Sequence, residues 1–337
     1  MTSATFGSIR VATPMVECAP LRSRYVSPSE PEIEEVSSFE AGSPFVSVII
    51  PVFNDEARLG VCLSALEKQT YASDRYEVVV VDNGSARPIA EVVGCFPHAS
   101  VVVEWRRGSY AARNRGLALA RGDVLAFTDA DCVPAADWLE QGVRALLAAS
   151  DCGLIAGDIH VLPKDPRAPS MVELYELTFA FRQSSYVAEG FGATANLFTR
   201  RQVFERVGLF CDGLKSCGDR EWGLRVSASG LGLRYASEAR VDHPARRSWR
   251  DLARKTLRVT DGMFDLARME GKGFGNSLRV AARELRPPLL TAMRVFTGRT
   301  GPPGLRQRLS VIAVLTVRRW ITAFAWLRLE AGSSIRR

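Results

Sequence analysis

Histidine is scarce in this chain. Its 337 residues include only His98, His160 and His243, none in an HExxH arrangement, which removes the helical zinc-hydrolase signature. Phosphate loops are missing too. No GxGxxG follows an apolar run and no GxxxxGK continues into Ser or Thr, so the dinucleotide fingerprint and the P-loop are both excluded. A GxSxG nucleophile elbow is also absent. The seven cysteines are scattered, odd in number and without a CxxC. That suits reduced thiols in a cytoplasmic setting better than a disulfide frame. The N-terminus has no apolar signal core, and no uninterrupted apolar run reaches the ~20 residues that span a bilayer.

What is present points to a globular core. Hydrophobic residues make up 47% and charged residues 24% of the chain, ordinary proportions for a folded domain. The net charge of +7 and a pI near 9.2 suit anionic partners such as nucleotides, phosphates, nucleic acid or an anionic membrane surface, without choosing among them. Residues 1–44, with "SPSEPEIEEVSSFEAGSP", have no helical or strand period and read as a disordered tail.

The pattern changes at Phe45. "FVSVIIPV", "YEVVVVD", "ASVVVEW" and "DVLAFTD" read as strands, and their near-continuous apolar runs predict burial on both faces of a parallel sheet. Helices alternate with them: "DEARLGVCLSALEKQ" with Asp55 as its N-cap, "SYAARNRGLALARG" stopped by Gly122, and "AADWLEQGVRALLAA". Beyond residue 160 the spacing predicts a helix over "SMVELYELTFAFRQ" and a strand and short helix in "GATANLFTRRQVFERVGLF". A helix in "DREWGLRVSASG" and a strand in "LRYASEARVDHP" follow. Strand–helix alternation of this kind predicts a doubly wound α/β domain over 45–250, with ligands at the carboxyl ends of the strands. Residues 251–337 read as a basic helical extension.

Asp55, Asp82 and Asp129 fall at or just past strand ends, so three acids converge on one sheet edge. Any one of them alone suits a cap or turn. Asp129 and Asp131 flank the small Ala130 in "FTDADC". Hard carboxylate oxygens so placed suit Mg²⁺ or Mn²⁺, held together with substrate phosphates.

These segments resemble family 2 glycosyltransferases, inverting enzymes of the GT-A fold. The resemblance runs from about Val46 to Trp249 and rests on several stretches in order. They are "VSVIIPVFNDEARLGVCLSAL", "VVVVDNGS", "GSYAARNRGLALARGDVLAFTDADC", "GATANLFTRRQVFERVGLF" and "GDREWGLRVSASG". A lone DxD is common by chance; the ordered set is not. The resemblance implies that Pro51, Asp55 and Asp82 hold the base and ribose of a nucleotide-diphosphate sugar. It implies that Arg113 and Asn114 line the nucleotide site. Asp129 would touch ribose or metal, Asp131 would be the main metal ligand, and His243 would be either a third ligand or a turn residue. Asp219 would be the general base toward a hydroxyl of a glycan, a lipid-linked saccharide or another envelope-pathway acceptor. The family's usual base motif is Glu-Asp, and here it is Gly218-Asp219, which leaves Glu221 as a rival base and removes a supporting carboxylate.

Three aromatic residues, Phe191, Trp222 and Trp249, suit either sugar stacking or the core. "TVRRW", Thr316 to Trp320, lacks the Gln of the QxxRW motif of processive synthases, so transfer of a single sugar is expected. From Arg286 onward Glu330 is the only acid, while arginines accumulate around "LSVIAVLTVRRWITAFAWLRL". That stretch is too interrupted to span a bilayer. Its apolar stripe (Leu305, Leu309, Ile312, Thr316, Trp320, Ala323, Leu327) suits either the surface of an anionic membrane or a packed helix. A peripheral position on the inner face of the plasma membrane follows from the first alternative, and no nucleic-acid partner is expected. Two other readings compete: a sugar-nucleotide pyrophosphorylase, whose Gly-rich basic loop "PVFNDEARLG" does not supply, and a non-catalytic nucleotide-sugar-binding protein, to which only Gly218 points.

Overall fold

The computed structural model describes residues 43–335; the expected disordered tail, residues 1–44, lies outside the described residues but for its last two. The elements run β1 (Val46–Val52), α1 (Glu56–Leu66), β2 (Tyr76–Asp82), α2 (Ala90–Val93), β3 (Ala99–Val103), α3 (Ser109–Leu119), β4 (Val124–Thr128), β5 (Val133–Pro134), α4 (Trp138–Leu147) and β6 (Cys152–Leu162). They continue α5 (Met171–Phe179), α6 (Gln183–Ala188), β7 (Asn196–Arg200), α7 (Arg201–Val207), α8 (Gly218–Ala228), β8 (Gly232–Pro244), α9 (Trp249–Met269), α10 (Phe274–Leu285), α11 (Leu289–Phe296) and α12 (Leu305–Ile335).

One eight-stranded sheet organises the chain, in the order β3-β2-β1-β4-β7-β6-β8-β5. Strands β3, β2, β1 and β4 are parallel neighbours. Strand β7 runs antiparallel between β4 and β6, and β8 is parallel to β6 and antiparallel to β5. The sheet is therefore mixed and mostly parallel, flanked by helices, as the sequence predicts. Period-2 alternation distributes the central strands between two core layers. Ile50 packs with Leu59, Leu63 and Trp138 on one face. Ile49 packs with Leu125, Phe127, Phe204 and Trp222 on the other.

Several elements depart from expectation. Strand β6 was not anticipated. Its glycines weaken a strand signal, yet a Cβ at Gly157 would lie 2.3 Å from the Ala239 carbonyl oxygen. The expected helix over "SMVELYELTFAFRQ" is shorter, ending at Phe179, and a separate helix begins at Gln183. The chain breaks at Phe181, whose φ is +50°, and the Phe181 ring packs on the His243 imidazole at 4.5 Å. Asp55 occupies the N-cap position of α1 but its side chain makes no cap hydrogen bond; its carboxylate pairs with Arg58 at 2.7 Å.

The C-terminal helices pack on the sheet unit. Val314 and Leu315 of α12 join Val172, Tyr175 and Leu252 in one buried cluster. Helix α12 is continuous over 31 residues; by length and composition alone Leu305–Gly332 holds a window apolar enough to cross a membrane, and 33% of that window is buried against the rest of the chain. The expected stripe is divided as well: Ala323 is buried, whereas Leu305, Leu309 and Trp320 are exposed.

Candidate active site

A cavity of about 740 Å³ opens at the carboxyl ends of β1 and β4, walled on the far side by the start of α8 and by α9. Its volume is within the range of small-ligand sites. Pro51, Asp55, Arg113, Asp129, Asp131, Asp219 and His243 all line it. Two expected residues do not. Asp82 ends β2, is buried, and accepts the Ser85 amide at 2.9 Å through Oδ1, so its neighbour Asn83 forms the wall. Asn114 donates from its amide nitrogen to the Phe210 carbonyl at 2.9 Å and accepts the Phe210 amide at 3.1 Å. It pins the 210 segment instead of facing the cavity. Arg113 and Asn114 are successive residues on α3, so about 100° of helix separates them and only one can point at the site.

Arg113 is buried and donates to Asp129 Oδ1 at 2.5 Å. Asp129 is thereby held in a charge-assisted pair and is less available to a metal than Asp131. Asp131 Oδ2 lies 3.7 Å from His243 Nε2 and 3.7 Å from Arg58. His243 is 3% exposed, and burial lowers its pKa against the opposing pull of Asp131. Its Nδ1 stands 2.9 Å from the Pro244 carbonyl. A carbonyl only accepts, so Nδ1 carries the proton and the Nε2 lone pair faces Asp131. A neutral imidazole oriented by a backbone carbonyl, opposite a carboxylate, fits a divalent cation. Among the described residues no group of three or more His, Cys, Asp and Glu is gathered to hold a metal. The pair therefore suits Mg²⁺ or Mn²⁺ completed by phosphate oxygens and water.

Asp219 lies in the first turn of α8, after Cys217, which takes the N-cap position with φ +63°. Tyr110 donates its hydroxyl to Asp219 Oδ1 at 3.1 Å, and the Arg220 amide donates to the same oxygen at 2.9 Å. Burial pushes the Asp219 carboxyl above its usual range, against Arg113, the Arg220 amide and Tyr110, which pull it down. A raised carboxylate pKa at a cavity wall suits a general base. The rival Glu221 is 3% exposed, with both oxygens taken by Arg225 at 2.7 and 2.8 Å. It orients Arg225, which donates to the Val207, Gly208 and Leu209 carbonyls and holds α8 to that segment, so Glu221 is not placed to receive a proton from a ligand.

Of the three aromatics, only Phe191 reaches this cavity, stacked on Tyr186 at 4.8 Å and under Arg220 at 4.8 Å. Trp222 is fully buried in the core, and Trp249 is exposed on α9. The cavity is also lined by cations the sequence does not single out, among them Arg246, Lys255 and Arg258. Glu176 holds the first two at 2.9 and 3.0 Å. They sit beyond the resembling segments on an amphipathic helix and its lead-in, where Lys and Arg read as ordinary solvated residues.

The family model described as Glycosyl transferase family 2 matches residues 47–208. The chain is 37% identical to the glycosyltransferase AglE of Haloferax volcanii, over 66% of this chain and 74% of that one. It is 27% identical to an undecaprenyl-phosphate 4-deoxy-4-formamido-L-arabinose transferase of Pseudomonas savastanoi, over 66% of this chain and 64% of the relative. Among solved structures, the mannosyltransferase PcManGT of Pyrobaculum calidifontis, in complex with GDP-Man and Mn²⁺, superposes with a TM-score of 0.55 at 20% identity. The match covers 86% of this chain and 76% of that one, a likeness of fold. The expected GT-A architecture and glycosyltransferase identity are thus borne out, and this chain is an enzyme belonging to glycosyl transferase family 2.

Proposed function

We propose that the enzyme moves a single sugar from a nucleotide-diphosphate sugar to an acceptor hydroxyl, with inversion at the anomeric carbon. The observation that carries this reading is the meeting, around one cavity, of the Asp131–His243 pair with the raised carboxylate of Asp219. Pro51 and Asp55 are assigned to the nucleoside, with Asn83 in the place expected of Asp82. Arg113 orients Asp129 toward the ribose or the diphosphate. Asp131 and His243 would hold a divalent cation, which neutralises the departing diphosphate when bound. Asp219, kept in place by Tyr110 and the Arg220 amide, takes the proton of the acceptor hydroxyl as its oxygen attacks the anomeric carbon. The bond to the diphosphate breaks on the opposite face, and the nucleoside diphosphate leaves with the electron pair.

The C-terminal extension is assigned to an anionic membrane surface on the cytoplasmic side. Leu289, Leu290, Met293 and Phe296 of α11 are all more than half exposed, beside Arg286, Arg294 and Arg299. Exposed apolar anchors among cations suit such a surface. The lipid-phosphate term in one relative's name agrees with an acceptor of the envelope class.

The test is Asp219→Asn. Removing a general base should reduce transfer by about 10²–10⁴-fold, while the affinity for donor and metal stays within twofold of wild type. Full transfer in that variant would remove Asp219 from the mechanism.

A further inference from the structure

Glu176 stands behind the wall of the donor cavity and does not line it. It belongs to α5 and is 1% exposed. Its Oε2 accepts from the Arg246 guanidinium at 2.9 Å, and its Oε1 accepts from the Lys255 ammonium at 3.0 Å. Both of these cations do line the cavity, and Arg258, three residues further along α9, lines it beside them.

The charges on this wall do not match. Arg113 pairs with Asp129 and Arg220 with Glu189, one carboxylate for one cation. Here a single buried carboxylate serves two cations, which leaves positive charge in surplus. An ammonium has three donors and a guanidinium five; Glu176 accepts one from each of the two side chains. A cation held away from water is costly unless an anion joins it. Lys255 shows that cost: burial, with Arg246 next, holds its pKa down to about 8, although Glu176 raises it.

This wall is kept apart from the Asp131–His243 pair. Lys255 Nζ lies 4.8 Å from the centre of the Phe181 ring, and the same ring packs on the His243 imidazole at 4.5 Å. Phe181 holds this place with a φ of +50°, a left-handed conformation that is rare for a bulky residue and persists only where the surroundings hold it.

We propose that Glu176 is a positioning residue. It gathers Arg246 and Lys255 into a cationic seat for the terminal phosphate of the nucleoside diphosphate, and Phe181 spaces that seat from the Asp131–His243 pair. This role rests on the reading of the cavity as the donor site. As the bond to the anomeric carbon breaks, the terminal phosphate keeps the electron pair and gains one negative charge, while the acceptor proton passes to Asp219. Preorganised donors at the place where charge develops favour that step. Because the seat consists of side chains alone, the chain should tell a diphosphate from a monophosphate without Mn²⁺.

The experiment is calorimetric titration of the full chain with UDP and UMP, and with GDP and GMP, in EDTA. In the wild type the diphosphate should bind at least about tenfold more tightly than its monophosphate, the scale of a charged hydrogen bond. Lys255→Met should weaken the diphosphate by at least about tenfold and leave the monophosphate within about twofold, which also reports a retained fold. Glu176 raises the Lys255 pKa, so Glu176→Gln should lower the pH at which the preference fades from about 8. Glu176→Asp should restore part of it. A merely structural Glu176 would change both nucleotides alike. Should Glu176→Gln lose the monophosphate as well, Lys255→Met decides. Equal affinity for the two nucleotides in the wild type would overturn the seat, as would diphosphate binding that appears only with Mn²⁺. An unchanged preference in Lys255→Met would overturn it too, and so would an unmoved pH dependence in a Glu176→Gln chain that binds the monophosphate. If no nucleotide binds the wild type with or without Mn²⁺, the donor reading itself fails.

Discussion

The Tyr110 ring occupies the space that a side chain at Gly218 would need. A Cβ at that position would meet the ring at 2.7 Å, and the Tyr110 hydroxyl holds Asp219 at 3.1 Å. The glycine that breaks the family's Glu-Asp pattern is thus matched by a phenol that supports the same aspartate. Position 218 gives no ground for reading the chain as a protein that has lost its base.

Gly218→Glu should therefore damage the enzyme, not repair it. Forcing a side chain against a buried ring costs about 1–3 kcal/mol, which urea unfolding would register, and transfer should fall with it. A more active Gly218→Glu enzyme would show that Tyr110 yields easily.

Tyr110→Phe keeps the ring and deletes the hydroxyl. That hydroxyl lowers the Asp219 pKa, so its loss should move the Asp219 pKa further up. The acid limb of kcat/KM against pH should shift to higher pH, with a stability cost of about 0.5–1.5 kcal/mol. An unmoved acid limb would separate the phenol from the base.

The whole pH profile should be bell-shaped. As the proposed base, Asp219 would act only when ionised, so activity should rise as pH climbs through a pKa that burial has raised above the ordinary carboxylate range. Lys255, held mainly by burial at a pKa of about 8, is charged below that value and loses its charge above it. If it serves an anionic ligand, activity falls as pH passes about 8. Lys255→Arg should extend the alkaline limb, because guanidinium stays charged.

His243→Ala should raise the Mn²⁺ concentration needed for half-maximal activity by at least about tenfold, the scale on which groups that tune metal ligands act. Circular dichroism should show the fold retained. Unchanged Mn²⁺ dependence would return His243 to a packing role beside Phe181.

Leu290→Glu with Met293→Glu should reduce co-flotation of the full chain with vesicles of anionic lipid. Each buried Leu or Met side chain contributes about 1.5–3 kcal/mol. Equal flotation of the double variant would remove α11 from membrane contact.

Much of this fold was legible in the sequence because β1, β2 and β4 are short, apolar and β-branched, and because the acids at their ends fall where a parallel sheet gathers ligands. Strand β6 was hidden by Gly153 and Gly157, residues that disfavour a strand in isolation but are required by close approach of Val226 and the Ala239 carbonyl. At the site, motif and position singled out Asp131, Asp219 and His243, and the fold brings the three to one cavity. Asn114 bonds the Phe210 backbone and does not line that cavity; a motif does not reveal which side of a helix faces a ligand. Lys255 and Arg246 carried no signal at all. Their significance comes from Glu176, 79 and 70 residues away, which gathers them at the cavity.

The most direct test is calorimetric titration of the wild-type chain with UDP- and GDP-sugars, with and without Mn²⁺. One nucleotide-diphosphate sugar should bind per chain, more tightly when Mn²⁺ is present, and transfer to an acceptor should release the nucleoside diphosphate. A chain that binds no nucleotide-diphosphate sugar under either condition would contradict the assignment of this cavity as a donor site.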